Sequence, residues 1–290
     1  MVTPSRSTGE VPASAHRREL GSRLARLRKR ADLTQAEAAG RVGIDRASFS
    51  RIERGLRGTG PDLVDALLGV YGADADERDA VYQLVAADRG RTRPWWRKHG
   101  PLVNATSYAA LLTLETGARR LRGYEQAVLP GLVQTRAYAE HVIRALRPEL
   151  EARQIHSLVN VRELRRRHLR EAAVTVDVVV EEGALTRPVA PPDVLREQLR
   201  FLAETTDVTV RMLPTDVGCH AGLYGSFLLV DFPAPGPSVV WQENLAGSTR
   251  IETPEHVHRY DRAFRELWDH ALTASQTRDR IRPLIEETTR

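Results

Sequence analysis

Thr34-Gln35-Ala36-Glu37-Ala38-Ala39-Gly40-Arg41-Val42-Gly43-Ile44-Asp45-Arg46-Ala47-Ser48-Phe49-Ser50-Arg51-Ile52-Glu53-Arg54-Gly55 is the stretch on which the reading of this chain turns. Thr34 and Glu37 stand at capping-box spacing: the hydroxyl accepts the Glu37 N–H while the Glu37 carboxylate accepts the Thr34 N–H. A short helix therefore starts at Gln35 and runs to about Val42. Gly43 gives the backbone freedom for a tight turn, Ile44 packs beneath it, and Asp45 is an N-cap for a second helix over about 46–54. Gly55 closes that helix as the residue just past its end.

At about 100° per residue, Phe49 and Ile52 point to one side of the second helix. Ala47, Ser50, Arg51 and Arg54 centre the other side, with Arg46 near its edge. Two short helices joined through a glycine turn have the helix-turn-helix plan, in which the second helix enters the major groove. Small residues, hydroxyls and arginine suit that position, because Arg bonds guanine bidentately and Ser reaches several base edges. The candidate DNA contacts are Thr34, Gln35, Arg46, Ala47, Ser48, Ser50, Arg51, Arg54 and Arg57. Gln35 is placed for a phosphate or an adenine, and Arg54 and Arg57 for phosphates, which add affinity without sequence choice. Helix capping alone is the competing account of Thr34 and Asp45. Glu53 is expected to pair internally with Arg28 or Arg41, since phosphate repels a carboxylate.

Working outward, Leu20, Leu24, Leu27 and Ala31 recur at helical spacing, with Arg23, Arg26, Lys29 and Arg30 largely off that stripe. Helices over about 61–71, with Pro61 in the first turn, and 74–89 complete a five-helix module at 19–89. Residues 1–18 read as a disordered basic arm. Gly90, Pro94, Gly100 and Pro101 around Trp95 and Trp96 read as a linker over 90–103. The two tryptophans beside Arg97 and Lys98 suit packing at the junction or stacking on unpaired bases, and packing is preferred.

Charge follows the same division. Residues 1–60 hold 13 Lys and Arg against 6 Asp and Glu, a net of +7, and the remainder holds 30 against 32, a net of −2. A basic block confined to one small module fits a polyphosphate partner. Cys219 is the sole cysteine, so neither an internal disulfide nor a Cys-rich zinc site is expected. His220, His256 and His258 match no zinc spacing, and neither metal nor cofactor is expected. No stretch approaches the ~18 to 20 apolar residues of a membrane span, and a cytoplasmic location is expected.

Beyond the linker, helical patterns cover 104–122, 134–146, 151–171 and 192–205, and the last forty residues are helical again. Runs of Val, Leu and Phe at 174–180, 208–213, 227–232 and 239–241, bounded by Gly, Pro and Asp, read as strands. The expected fold is mainly α: a five-helix N-terminal module joined to an α+β domain over 104–290, with helices on a small β-sheet.

Thr34-Gln35, the turn at Gly43 and Ser50-Arg51-Ile52-Glu53-Arg54-Gly55 resemble the Xre-type, Cro-like regulators, with Asp45 where Ser is more frequent. The resemblance continues into the actinobacterial WhiJ-type branch, whose members are often treated as antitoxin-like. Its landmarks here are Trp95-Trp96-Arg97, Leu129-Pro130-Gly131-Leu132-Val133-Gln134-Thr135 with Tyr138, Arg162 with Arg165, Glu182 with Leu185, Gln198-Leu199, Leu213-Pro214 with Gly218, Gly222 and Phe227, and Val240-Trp241-Gln242-Glu243. Trp241 replaces a Tyr and Arg166 a Gln of that pattern. The resemblance implies a repressor or activator, often encoded beside a small partner protein, with the C-terminal domain as partner or effector site. Pro130, Gln134, Tyr138, Arg162, Arg165, Glu182, Trp241 and Glu243 are the candidates for that site.

The residues themselves admit several accounts. The run Arg162 to Arg170 fits an acidic partner or, more commonly, a solvated helix face. The Pro130–Thr135 stretch is a structural turn or an anion-holding helix start. Double-stranded DNA, a homodimer and a small partner protein are the expected partners, and a small-molecule effector is the alternative to the partner protein. An enzyme using Glu182 and Glu243 with Arg162 and Arg165 is the distant alternative, and no GxSxG, HExxH, Walker or dinucleotide fingerprint supports one.

Overall fold

The computed structural model describes residues 15–89, 95, 96, 103, 107–233 and 237–288. Residues 1–14 of the expected arm and most of the 90–103 linker, Arg97 and Lys98 included, lie outside them. The chain forms two compact units: Met1–Trp95 with Tyr108–Gly117 and Pro233–Gly236, and Trp96–Ser107 with Ala118–Phe232 and Pro237–Arg290.

The first unit holds α1 (Ala15–Arg30), α2 (Gln35–Arg41), α3 (Arg46–Glu53), α4 (Pro61–Val70) and α5 (Ala75–Arg89), with α6 (Ser107–Glu115) following in sequence. Helix α1 begins inside the stretch read as arm, four residues before Glu19. Leu20, Leu24 and Leu27 of α1 are buried against Phe49, Ile52, Val64, Leu67, Leu68, Val81 and Val85. At roughly 1.5 to 3 kcal/mol for each large apolar side chain removed from water, this cluster is the main stabilising term of the unit.

Two glycines let α1 approach α3 closely. Gly55, at φ +69, ends α3 with paired bonds from its own N–H to Ile52 O (2.9 Å) and from Leu56 N–H to Arg51 O (2.7 Å). Gly21 faces the same helix end, where a Cβ would lie 2.3 Å from the Glu53 carbonyl oxygen. That neighbour is backbone, so the helices themselves would have to part. Gly21→Ala is therefore expected to cost about 1 to 3 kcal/mol net, overpacking outweighing the ~1 kcal/mol gain in helix propensity. An unchanged thermal midpoint would show that α1 shifts freely.

The second unit is built on one six-stranded sheet in the order β3-β2-β1-β4-β5-β6. The strands are β1 (Arg120–Glu125), β2 (Thr175–Glu181), β3 (Thr209–Leu213), β4 (Phe227–Asp231), β5 (Val239–Asn244) and β6 (Gly247–Ile251). β1, β2 and β3 run parallel, whereas the β1/β4, β4/β5 and β5/β6 pairs are antiparallel. Parallel neighbours need crossovers. Helices α7 (Arg136–Leu146) and α8 (Ala152–Glu171) lie between β1 and β2, and α9 (Glu182–Thr186) and α10 (Pro192–Glu204) between β2 and β3. Helices α11 (Pro254–His270) and α12 (Ala274–Glu287) end the unit. Tyr124, Val179, Leu213, Phe227, Leu229 and Val240 pack from one sheet face onto Val257, Phe264 and Leu267 of α11. Leu121, Val178, Val180, Met212 and Val230 are buried on the other.

The expected α+β class is found, with two corrections. The helix expected over 104–122 ends at Glu115, and 120–125 form β1, a central strand. Its helix-like appearance comes from Arg120 and Arg122, whose charges are met by distant partners. Arg120 Nε donates to Asp177 (2.6 Å), and Arg122 donates to both Asp231 oxygens (2.7 and 2.8 Å) and to Asp261 (2.6 Å). Burial opposes charge on Asp231, but the Arg122 and Ser238 bonds outweigh it and hold the carboxyl below its usual range. The second correction is β6, where no strand was expected, because an edge strand reading Gly-Ser-Thr-Arg-Ile carries little apolar signal.

Candidate nucleic-acid interface

Both short helices are capped as the sequence requires. Thr34 and Glu37 make the reciprocal box (Glu37 N–H to Thr34 Oγ1 3.2 Å, Thr34 N–H to Glu37 Oε2 2.8 Å), and Asp45 accepts the Ser48 N–H at 2.8 Å. Gly43 takes φ +70 in the turn between them. Asp45 is held below the ordinary carboxyl range by Ser48, and Glu37 by Thr34.

Helix α3 divides as its periodicity implies. Phe49, Ile52 and Glu53 are buried; Arg46, Ala47, Arg51 and Arg54 are exposed, and Ser48 and Ser50 are half-buried. Arg46 and Arg54 have no ion-pair partner among the described residues. Exposed Arg57 reaches back to donate from Nη1 to Ser48 Oγ, which lays its guanidinium beside the start of α3. The outward surface thus gathers Arg46, Ala47, Ser48, Ser50, Arg51, Arg54 and Arg57.

Behind that surface the acidic residue is neutralised. Arg28 Nε and Nη2 donate to the two Glu53 oxygens (2.7 and 3.1 Å), and Arg28 Nη1 donates to Leu33 O (2.6 Å). The Glu53 hydrogen bond raises the already high Arg28 pKa against the opposing effect of burial. Gln35 Nε2 also donates to Glu53 (2.7 Å), so this candidate DNA contact is oriented by the same carboxylate. Of the two partners considered for Glu53, Arg28 is the one found.

In the second unit the eight partner or effector candidates divide. Glu125 ends β1 and Glu243 lies near the end of β5, with Ser226 bonded to the Glu125 side chain. The charges of Glu243, Arg165 and Arg162 all act on Glu125. Trp241 Nε1 donates to Glu243 (3.2 Å), and Arg162 Nη1 donates to Gln134 Oε1. Gln134, Arg162, Arg165, Trp241 and Glu243 are thereby brought into one cluster about Glu125, where burial and the Glu243 charge push the carboxyl up to about 7.

The other three serve elsewhere. Pro130 starts the turn Gly131–Val133, and Tyr138 is fully buried with its hydroxyl accepting the Leu129 N–H. Glu182 accepts from Thr215 N–H and Oγ1 (3.2 and 3.1 Å) and pairs with Arg280 (3.1 Å), so its carboxyl is held low by Thr215. Much of the basic run on α8 is engaged within the unit: Arg166 lies over the Phe201 ring and Arg170 meets Asp207. Sequence reasoning missed Glu125, whose signal lay hidden in the strand that read as helix.

Residues 19–81 match the model of a helix-turn-helix domain, which supports a DNA-binding transcription regulator. Residues 108–283 match the model described as a domain of unknown function, DUF5753. Neither the curated proteins nor the solved structures gave a match. Among the described residues, no helix is long and apolar enough to cross a membrane.

Proposed function

Because this chain belongs to the DUF5753 family and opens with a helix-turn-helix domain, we propose that it is a sequence-specific, antitoxin-like regulator binding an inverted repeat as a dimer. The observation that carries this reading is the outward face of α3, where Arg46, Arg51 and Arg54 are exposed and Ser50 is half-buried while Glu53 is turned inward and paired. In this reading Arg46, Ala47, Ser48, Ser50 and Arg51 meet base edges, and Thr34, Gln35, Arg54 and Arg57 hold the backbone. Two copies double a small set of base contacts.

Control passes through the second unit, and a small partner protein is preferred to a small ligand. Tyr224 and Leu245 are almost fully exposed, at 96% and 103%, with Leu223 also exposed beside Tyr224. The β4/β5 pairing sets both tips at one end of the sheet. Exposed apolar side chains gathered this way suit a protein surface. Two surface cavities among the described residues, of about 570 and 490 Å³, are lined mainly by Arg, Asp and Glu. Glu182, a candidate for catalysis in the distant alternative, bonds instead to Thr215 and Arg280.

The test is binding of wild type and Arg51→Ala to DNA from the upstream region of its own gene, at two salt concentrations with random DNA as competitor. The variant is expected to lose about 1 to 3 kcal/mol together with specificity, while the salt slope persists. An unchanged preference would remove α3 from the groove.

A further inference from the structure

The two edges of the sheet differ. On the outer edge of β3, Met212 is bonded to the α11–α12 junction: Leu272 N–H donates to Met212 O (2.9 Å), and Met212 N–H donates to the Thr277 hydroxyl (3.0 Å). β6 ends the order on the other side, and among the described residues no backbone hydrogen bond reaches it from any element but β5. Its pairing with β5 runs one to one from Asn244↔Gly247 to Val240↔Ile251, so no bulge interrupts it, and it contains no proline. Bulges and prolines are devices that blunt a free edge. The chain stays extended at Thr253 (φ −62, ψ 121) before Pro254 begins α11.

We propose that a second copy of this chain adds its own β6 to this edge, antiparallel, across a two-fold axis centred on Ile251. The proposal rests on the dimeric reading given above and supplies its interface. Arg250 and Glu252 flank Ile251 and lie 3.4 Å apart within one chain. Antiparallel pairing about Ile251 sets each Arg250 opposite the partner's Glu252, each Thr249 opposite the partner's Thr253, and Ile251 opposite its own copy. Opposite charges and paired threonines are favourable cross-strand neighbours. Every such pair occurs twice, because a two-fold interface is self-complementary. A centre one residue earlier would set Arg250 against Arg250. An unrelated extended segment also fits an open edge, but the order Arg-Ile-Glu about one residue selects a second copy. The paired segment is short, so the dimer is concentration-dependent and is strengthened when both copies hold one duplex.

Sedimentation of the full chain without DNA tests this, using wild type, Arg250→Glu, Glu252→Arg, the double exchange, and an equimolar mixture of the two single variants. Arg250 and Glu252 side chains are 23% and 40% exposed, and circular dichroism is used to check that each variant folds. Wild type is expected to dimerise with rising concentration. Each single variant opposes like charges twice and should dimerise at least roughly tenfold more weakly. The double exchange and the mixture should regain wild-type association, and recovery in the mixture cannot come from the ion pair within one chain. A wild type that stays monomeric up to roughly 100 µM, single variants that dimerise unchanged, or a mixture that fails to recover would overturn the proposal. Because no DNA is present, such a failure leaves the Arg51 test standing. An intact dimer without sequence preference would instead fail the regulator reading alone.

Discussion

Glu53→Ala is expected to destabilise the helix-turn-helix unit by about 3 to 5 kcal/mol, the cost of removing one member of a buried ion pair. The Arg28 and Glu53 side chains are 10% and 5% exposed, so truncation leaves a guanidinium without water or counter-charge. It also releases Gln35, whose amide ends on the same carboxylate, and so loosens α1, α2 and α3 together. Domain stabilities are commonly about 5 to 15 kcal/mol, so a large share of the total is lost. Hydrogen exchange on the full chain localises the effect, with amides of α1 and α3 losing protection while those of β1 and β2 keep theirs. Replacing both residues by apolar side chains of similar volume should cost much less, because no charge is then stranded. Protection within about 1 kcal/mol of wild type in Glu53→Ala would mean that Arg28 finds another counter-charge.

The second large effect concerns Glu125. Burial, reinforced by Glu243 and opposed by Ser226, Arg165 and Arg162, raises its carboxyl from 4.5 to about 7. The folded chain therefore keeps this proton up to about pH 7, while the unfolded chain releases it near 4.5. Between those values the native state binds the extra proton, so stability falls as pH rises, by up to about 3 kcal/mol. Glu125→Gln mimics the protonated acid and should remove this slope. Urea midpoints of the second unit are expected to agree closely at pH 5 and to favour the variant at pH 8. Parallel pH profiles for the two proteins would show that Arg162 and Arg165 already satisfy the ionised carboxylate.

What the sequence disclosed is what acts over a few residues. Thr34 with Glu37, Asp45, Gly43, Gly55 and Pro61 each set a backbone angle or satisfy a backbone group near their own position, and each holds the place its type implied. The outward face of α3 was readable for the same reason, since one helical period fixes it. β1 was not readable, because the partners that neutralise its arginines lie 57, 109 and 139 residues away. No local window shows that two arginines in a strand will be paired and partly buried. Glu125 was lost with that strand, and with it the centre of the polar cluster. Glu182 illustrates the reverse case. Its residue type suggested chemistry, and only the fold shows its oxygens turned to Thr215 and Arg280.

The bonding of Met212 in β3 by Leu272 and Thr277 also limits what strand-by-strand growth can build. A filament needs each subunit to offer two complementary edges, one to receive a neighbour and one to be received. Here Met212 spends its outward N–H and C=O within its own chain, so any assembly begun at β6 has a partly occupied strand edge at both far ends. That occupancy opposes growth beyond two copies. Loosening the α11–α12 junction would remove that obstacle and turn a finite particle into one able to polymerise.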